Sequence, residues 1–65
     1  MKKIVLIGAG GHAKSCIDVI ESEKKFKVVG FVNSKIVNIF NYKTIGGDQD
    51  LKKILNTTTK YAHIA

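Results

Sequence analysis

The sequence predicts an α/β domain with a small parallel sheet, ordered strand, helix, strand, loop, helix, strand. Two short aliphatic runs lack polar alternation, at residues 3–7 (Lys-Ile-Val-Leu-Ile) and 27–32 (Lys-Val-Val-Gly-Phe-Val), as strands covered on both faces do. A helical period lies between them, and glycines mark the joint where the first run ends. With 65 residues the chain is one small domain at most. Its 45% apolar and 25% charged residues match ordinary globular usage and exclude a disordered tail or a fibrous repeat. The core must be modest, because a chain this short buries only about 60% of the surface its unfolded form exposes.

Each element follows from its own pattern. After the first run, Ala13, Cys16, Ile17 and Ile20 recur at helical spacing, and Lys14, Ser15, Asp18, Glu21 and Ser22 take the wet side, so a helix is expected from His12 to about Lys24. The second run follows at the distance of a strand, helix, parallel strand unit, whose crossover is right-handed. Ile36, Val37, Ile39, Phe40 and Tyr42 fit neither a two-residue nor a 3.6-residue period, so residues 33–44 are expected to be loop with a possible short strand. Gly46-Gly47-Asp48 marks a turn into a second helix, with Asp48 as its cap, Leu51, Ile54 and Leu55 as its buried stripe, and its end near Asn56. Residues 61–65 (Tyr-Ala-His-Ile-Ala) read as a third strand, expected to be buried. Stopping there, the sequence reads as the front piece of a longer chain.

Eleven lysines and no arginine stand against five acidic residues, for a formal charge of +6. The lysines run from Lys2 to Lys60 without forming a block, and no groove-reading motif accompanies them, so a solvated surface is expected and no nucleic-acid partner. Ile4 to Ile7 is too short for a signal core of about 7 to 15 apolar residues, and nothing approaches the roughly 20 that span a bilayer. No membrane partner is expected, and the cytoplasm is the expected compartment. Cys16 is the only cysteine, which excludes an internal disulfide and a cysteine-rich zinc site, and its place in the apolar stripe makes it a core thiol.

The chemistry concentrates in Gly8-Ala9-Gly10-Gly11-His12-Ala13, which satisfies Gly-x-Gly-x-x-Gly/Ala between a strand and a helix. Gly8 permits the tight turn, Gly10 lets a phosphate approach the backbone, and Ala13 lets the helix pack on the strand. Free amides and the positive end of the helix dipole then favour a diphosphate. The competing reading is a purely structural turn. A dinucleotide site also wants an acidic residue at the end of the second strand, and Asn33 stands there. The alternative of an NAD(P)-binding domain of an oxidoreductase is weakened by Asn33, and Lys35 either receives an NADP phosphate or is an exposed loop lysine. His12 faces either a bound phosphate or solvent, Lys14 either approaches phosphate oxygens or, more simply, belongs to the wet helix face, and His63 reads as structural rather than as a ligand. No carboxylate pair, metal cluster or nucleophile triad can be assembled, so the expectation is binding without catalysis.

These residues also resemble a known family, the N-terminal domain of PglD/NeuD-type sugar acetyltransferases, members of the hexapeptide-repeat acyltransferases. Residues 4–13 (Ile-Val-Leu-Ile-Gly-Ala-Gly-Gly-His-Ala) resemble its strand and glycine-histidine loop. Residues 28–33 (Val-Val-Gly-Phe-Val-Asn) are similar to its second strand, which normally ends in aspartate, and residues 44–51 resemble its Gly-Gly-Asp entry to a helix. The resemblance implies a small Rossmann-like domain that holds a UDP-linked amino sugar. Gly8, Ala9, Gly10, Gly11 and His12 would surround the diphosphate, and Asn33, Ser34 and Lys35 would lie near the base or ribose. It further implies a homotrimeric parent in which a left-handed β-helix domain, absent from these residues, binds acetyl-CoA and carries the catalytic histidine.

Overall fold

A computed structural model describes all 65 residues. In chain order it holds β1 (Lys2–Ile7), α1 (Ala13–Glu23), β2 (Phe26–Val32), β3 (Asn38–Ile39), β4 (Tyr42–Gly46), a 3-10 turn at Asp48–Asp50, α2 (Leu51–Thr57) and β5 (Tyr61–Ile64). The sheet runs β3-β4-β2-β1-β5, and every pairing is parallel except that of β3 with β4. The chain therefore builds outward from β1 on one side, through β2 and β4, and then crosses to β5 on the other. That reversal is the switch point at which open α/β sheets bind ligands.

The aliphatic runs are continuous because both faces of the sheet are covered. On one face Ala13 and Ile17 of α1 pack on Ile4, Leu6, Val28 and Phe31, with Cys16 at the cluster's margin. On the other, Ile54 of α2, flanked by Leu51 and Leu55, packs on Val5 and Val32. Ile4, Val5 and Leu6 alternate between the faces as a regular strand requires. β2 does not: Val28 and Phe31 share one face because the register slips from Ile4↔Val28 to Val5↔Gly30. The extra residue is a bulge. Gly30 takes φ 152°, and a Cβ there would lie 2.6 Å from the Lys43 carbonyl oxygen and 2.7 Å from Ile45 Cγ2. Only glycine lets β4 approach this closely.

The structure revises three expectations. Residues 33–44 are chiefly a loop and a hairpin, and β4 is a full member of the main sheet. Phe40 (φ 51°) and Asn41 (φ 69°) both turn left-handed, the backbone of a type I′ hairpin, without the glycine that normally signals one. Thr44 knits the preceding loop: its hydroxyl accepts the Val37 N–H at 2.9 Å and donates to the Lys35 carbonyl at 3.0 Å. Asp48 does not cap the second helix. The 3-10 turn places Asp50 three residues after Gly47, and it is Asp50 Oδ2 that accepts the Gly47 N–H, at 2.9 Å. β5, expected to be buried, is an edge strand with all four residues exposed, because β1 pairs with it on one side and neither core cluster reaches it from the helices. It is anchored from its start, where the buried Thr59 hydroxyl donates to the Lys3 carbonyl and accepts the Tyr61 N–H.

α1 is also tied to the hairpin, through a hydrogen bond of 2.6 Å donated by the Tyr42 hydroxyl to Glu21 Oε2. That bond, with lesser help from desolvation and the carboxylate charge, holds the Tyr42 phenol above its ordinary value of 10.0. A group whose pKa is raised on folding stabilises fully below its unfolded pKa and loses that contribution as pH rises through the folded one. The tie is therefore intact at neutral pH and opens only in alkali beyond 10.0. In an absorbance titration at 295 nm, subtracting the Tyr42→Phe curve isolates this phenol, and Glu21→Gln should move it back toward the ordinary value. An unchanged midpoint in Glu21→Gln would show that the bond does not form.

Candidate functional site

Three loops leave the carboxyl ends of adjacent strands, and backbone hydrogen bonds join them into one rim. Gly8 N–H donates to the Val32 carbonyl at 2.8 Å, Asn33 N–H to the Gly46 carbonyl at 3.0 Å, and Ala65 N–H to the Ile7 carbonyl at 2.9 Å. The ends of β1, β2, β4 and β5 are thus fixed side by side.

At the end of β1, Gly8 has φ 90°, and a Cβ there would meet the Ala65 carbonyl oxygen at 3.4 Å, so the turn itself requires this glycine. Gly10 and Gly11 differ. Neither has a positive φ, and a Cβ on either would meet nothing within 4 Å. The fold does not ask for glycine at these two positions, and the space over them is open. The amide of Ala13 bonds to the Gly10 carbonyl and that of Cys16 to the His12 carbonyl, whereas the amides of Gly10, Gly11, His12, Lys14 and Ser15 have no backbone acceptor. Unpartnered donors at a helix start are the groups that hold an anion. His12 sits at the N-cap, exposed, and its side chain makes no capping bond.

At the ends of β2 and β4 the chain encloses a polar hollow of about 470 Å³, lined by Asn33, Ser34, Lys35, Ile36, Thr44, Gly46, Gly47, Asp48 and Gln49. Asn33 Nδ2 donates to the Lys35 carbonyl at 3.0 Å, so its amide shapes the loop. An aspartate could not make that bond, since an ionised carboxylate only accepts. Asp48 is exposed on the opposite wall.

The structure brings Asn33, Ser34 and Lys35 together in this hollow. Gly8, Ala9, Gly10, Gly11 and His12 lie on the adjoining part of the rim and do not line it. Sequence reasoning missed Thr44, Gly46, Gly47, Asp48 and Gln49 as site residues, because Gly46-Gly47-Asp48 reads as a helix entry alone. Recognising β4 as a parallel neighbour of β2 would have placed Gly46 beside Asn33. His63 is exposed on the edge strand and does not line the polar hollow; it borders an apolar groove together with Ser15, Cys16 and Val19 of α1.

Compared with family models, residues 3–65 match the PglD N-terminal domain. The chain belongs to that family. The PglD N-terminal domain match spans the glycine-histidine loop, the Asn33 loop and the Gly-Gly-Asp segment together, and it supports a sugar acetyltransferase as the context of this domain. No curated protein and no solved structure matches the chain. No three His, Cys, Asp or Glu side chains are grouped so as to hold a metal ion, and no helix is long and apolar enough to cross a membrane.

Proposed function

We propose that the rim binds a nucleotide-linked sugar, a UDP-linked amino sugar in the first instance, and presents the sugar for acetylation. The diphosphate sits over Gly10 and Gly11 against the free amides of the α1 start. The nucleoside lies in the neighbouring hollow among Asn33, Ser34, Lys35 and Gln49. Asp48 offers the ribose a charged acceptor that β2 does not, since the Asn33 amide is engaged with Lys35. Lys35 supplies a compact positive charge beside the phosphates. In the same reading acetyl-CoA is bound and used by a further domain of a homotrimeric parent in the cytoplasm, and this chain's residues bind and orient the acceptor without catalysing.

The observation that carries the proposal is the pair Gly10 and Gly11: side-chain-free positions where neither the backbone nor the packing needs them, beside five unpartnered amides. A calorimetric titration with a UDP-linked amino sugar tests it. Gly10→Leu should weaken binding at least tenfold while changing stability by no more than about 0.5 kcal/mol, as substitutions in open surface positions do. Equal affinity in the two proteins would remove the diphosphate from the loop. NADH, titrated in parallel, should bind far more weakly; tighter binding of NADH would assign the rim to a dinucleotide.

A further inference from the structure

The lysines scattered along the sequence are not scattered in space. Parallel strands all begin at one end of a sheet, and here that end collects six of the eleven lysines. Lys3 pairs with Lys27 across β1 and β2, and Lys60 stands one residue before Tyr61, the partner of Ile4, so these three lie level on three adjacent strands. Strand spacing is about 4.8 Å, which sets them in a close row. Lys2 precedes Lys3 in β1, and Lys24 and Lys25 join α1 to β2 at the same end. All six are exposed. The acidic residues nearest to them along the chain, Glu21 and Glu23, belong to the last turn of α1, and Glu21 is engaged by Tyr42. Asp48 and Asp50 lie at the opposite, ligand-binding rim.

We propose that this basic pole docks the domain on an anionic lipid surface. Lysines alone, without arginine, suit a diffuse layer of negative charge better than shaped recognition of single phosphates. Two apolar groups stand among them, Met1, 81% exposed, and Tyr61, 38% exposed. Tyrosine with flanking lysines is the composition that settles at a headgroup layer. A nucleic acid fits less well. The pole is made of strand starts, with no helix N-terminus or ribbon to enter a groove. The one exposed aromatic ring at this pole, Tyr61, has the Lys2 ammonium 5.2 Å from its centroid and Phe26 set edge-on at 5.2 Å, which leaves less of its face for stacking on bases. Docking by this end leaves the opposite rim open to a soluble ligand.

The test is co-sedimentation of the 65-residue chain with vesicles containing 30% phosphatidylglycerol. Each lysine that reaches such a surface multiplies affinity about fivefold, so K3E/K27E/K60E should lose binding at least a hundredfold. K3Q/K27Q/K60Q, which removes the three charges without reversing them, should lose about a hundredfold and less than the glutamate variant, and K43E/K52E/K53E, with the same net charge placed elsewhere, should bind within a few fold of the parent. Circular dichroism confirms that each variant is folded. Binding should fall from 50 to 300 mM salt and be absent on pure phosphatidylcholine. Equal binding to both vesicles, or equal loss in the two triple-glutamate variants, overturns the proposal. So does tighter, K3E/K27E/K60E-sensitive binding to a single-stranded oligonucleotide, which would give the pole to nucleic acid.

Discussion

Gly30→Ala should leave most of the chain unfolded at 25 °C. The added methyl would stand 2.6 Å from a backbone oxygen and 2.7 Å from the Ile45 side chain, at a φ of 152° that an L-residue adopts only under strain. Backbone strain of this kind costs about 1–3 kcal/mol, and forced repacking about 1–3 kcal/mol more. The whole core of a domain this size supplies only about 3–5 kcal/mol. The collision is with β4, so relief requires the sheet to open between β2 and β4, and that opening would dissolve the hollow at the same time. Urea unfolding followed by circular dichroism measures the effect. A variant that unfolds at the parent's urea concentration would mean that β4 does not pack where it is described.

The second large effect is expected at Phe31, the largest fully buried side chain. It lies in the α1-side cluster, level with Leu6 on β1. Phe31→Ala removes a ring that no solvent can replace, at a cost of about 3–5 kcal/mol, and Phe31→Leu, which keeps most of the volume, should cost far less. The contrast is Phe40, 53% exposed at the hairpin turn, where loss of the ring should move stability by about 0.5 kcal/mol or less. Thermal unfolding of the three variants side by side checks the ordering. If Phe40→Ala were as damaging as Phe31→Ala, the hairpin and not the sheet would hold the core.

Where burial and pattern agree, the fold is legible in the sequence. β1, β2 and the stripes of α1 and α2 announce themselves because both faces of the sheet are covered and each helix buries one stripe. The hairpin and the loop before it are illegible because they break that agreement: Ile36 is 92% and Ile45 41% exposed, while the polar Thr44 turns inward to hold the Lys35 and Val37 backbone. Its turn also carries Phe40-Asn41 where a glycine pair would have marked it. The glycine-histidine part of the rim is legible as a local motif. The other half needs the register of β4 on β2, a relation between residues far apart in the chain, and no local pattern encodes it.

The amide bonds that join Gly8 to Val32, Asn33 to Gly46 and Ala65 to Ile7 give the rim a property of its own. Strand ends clasped to one another in this way surrender their freedom when the chain folds. A guest of the kind proposed would then have little left to immobilise, so its recognition would be preorganised.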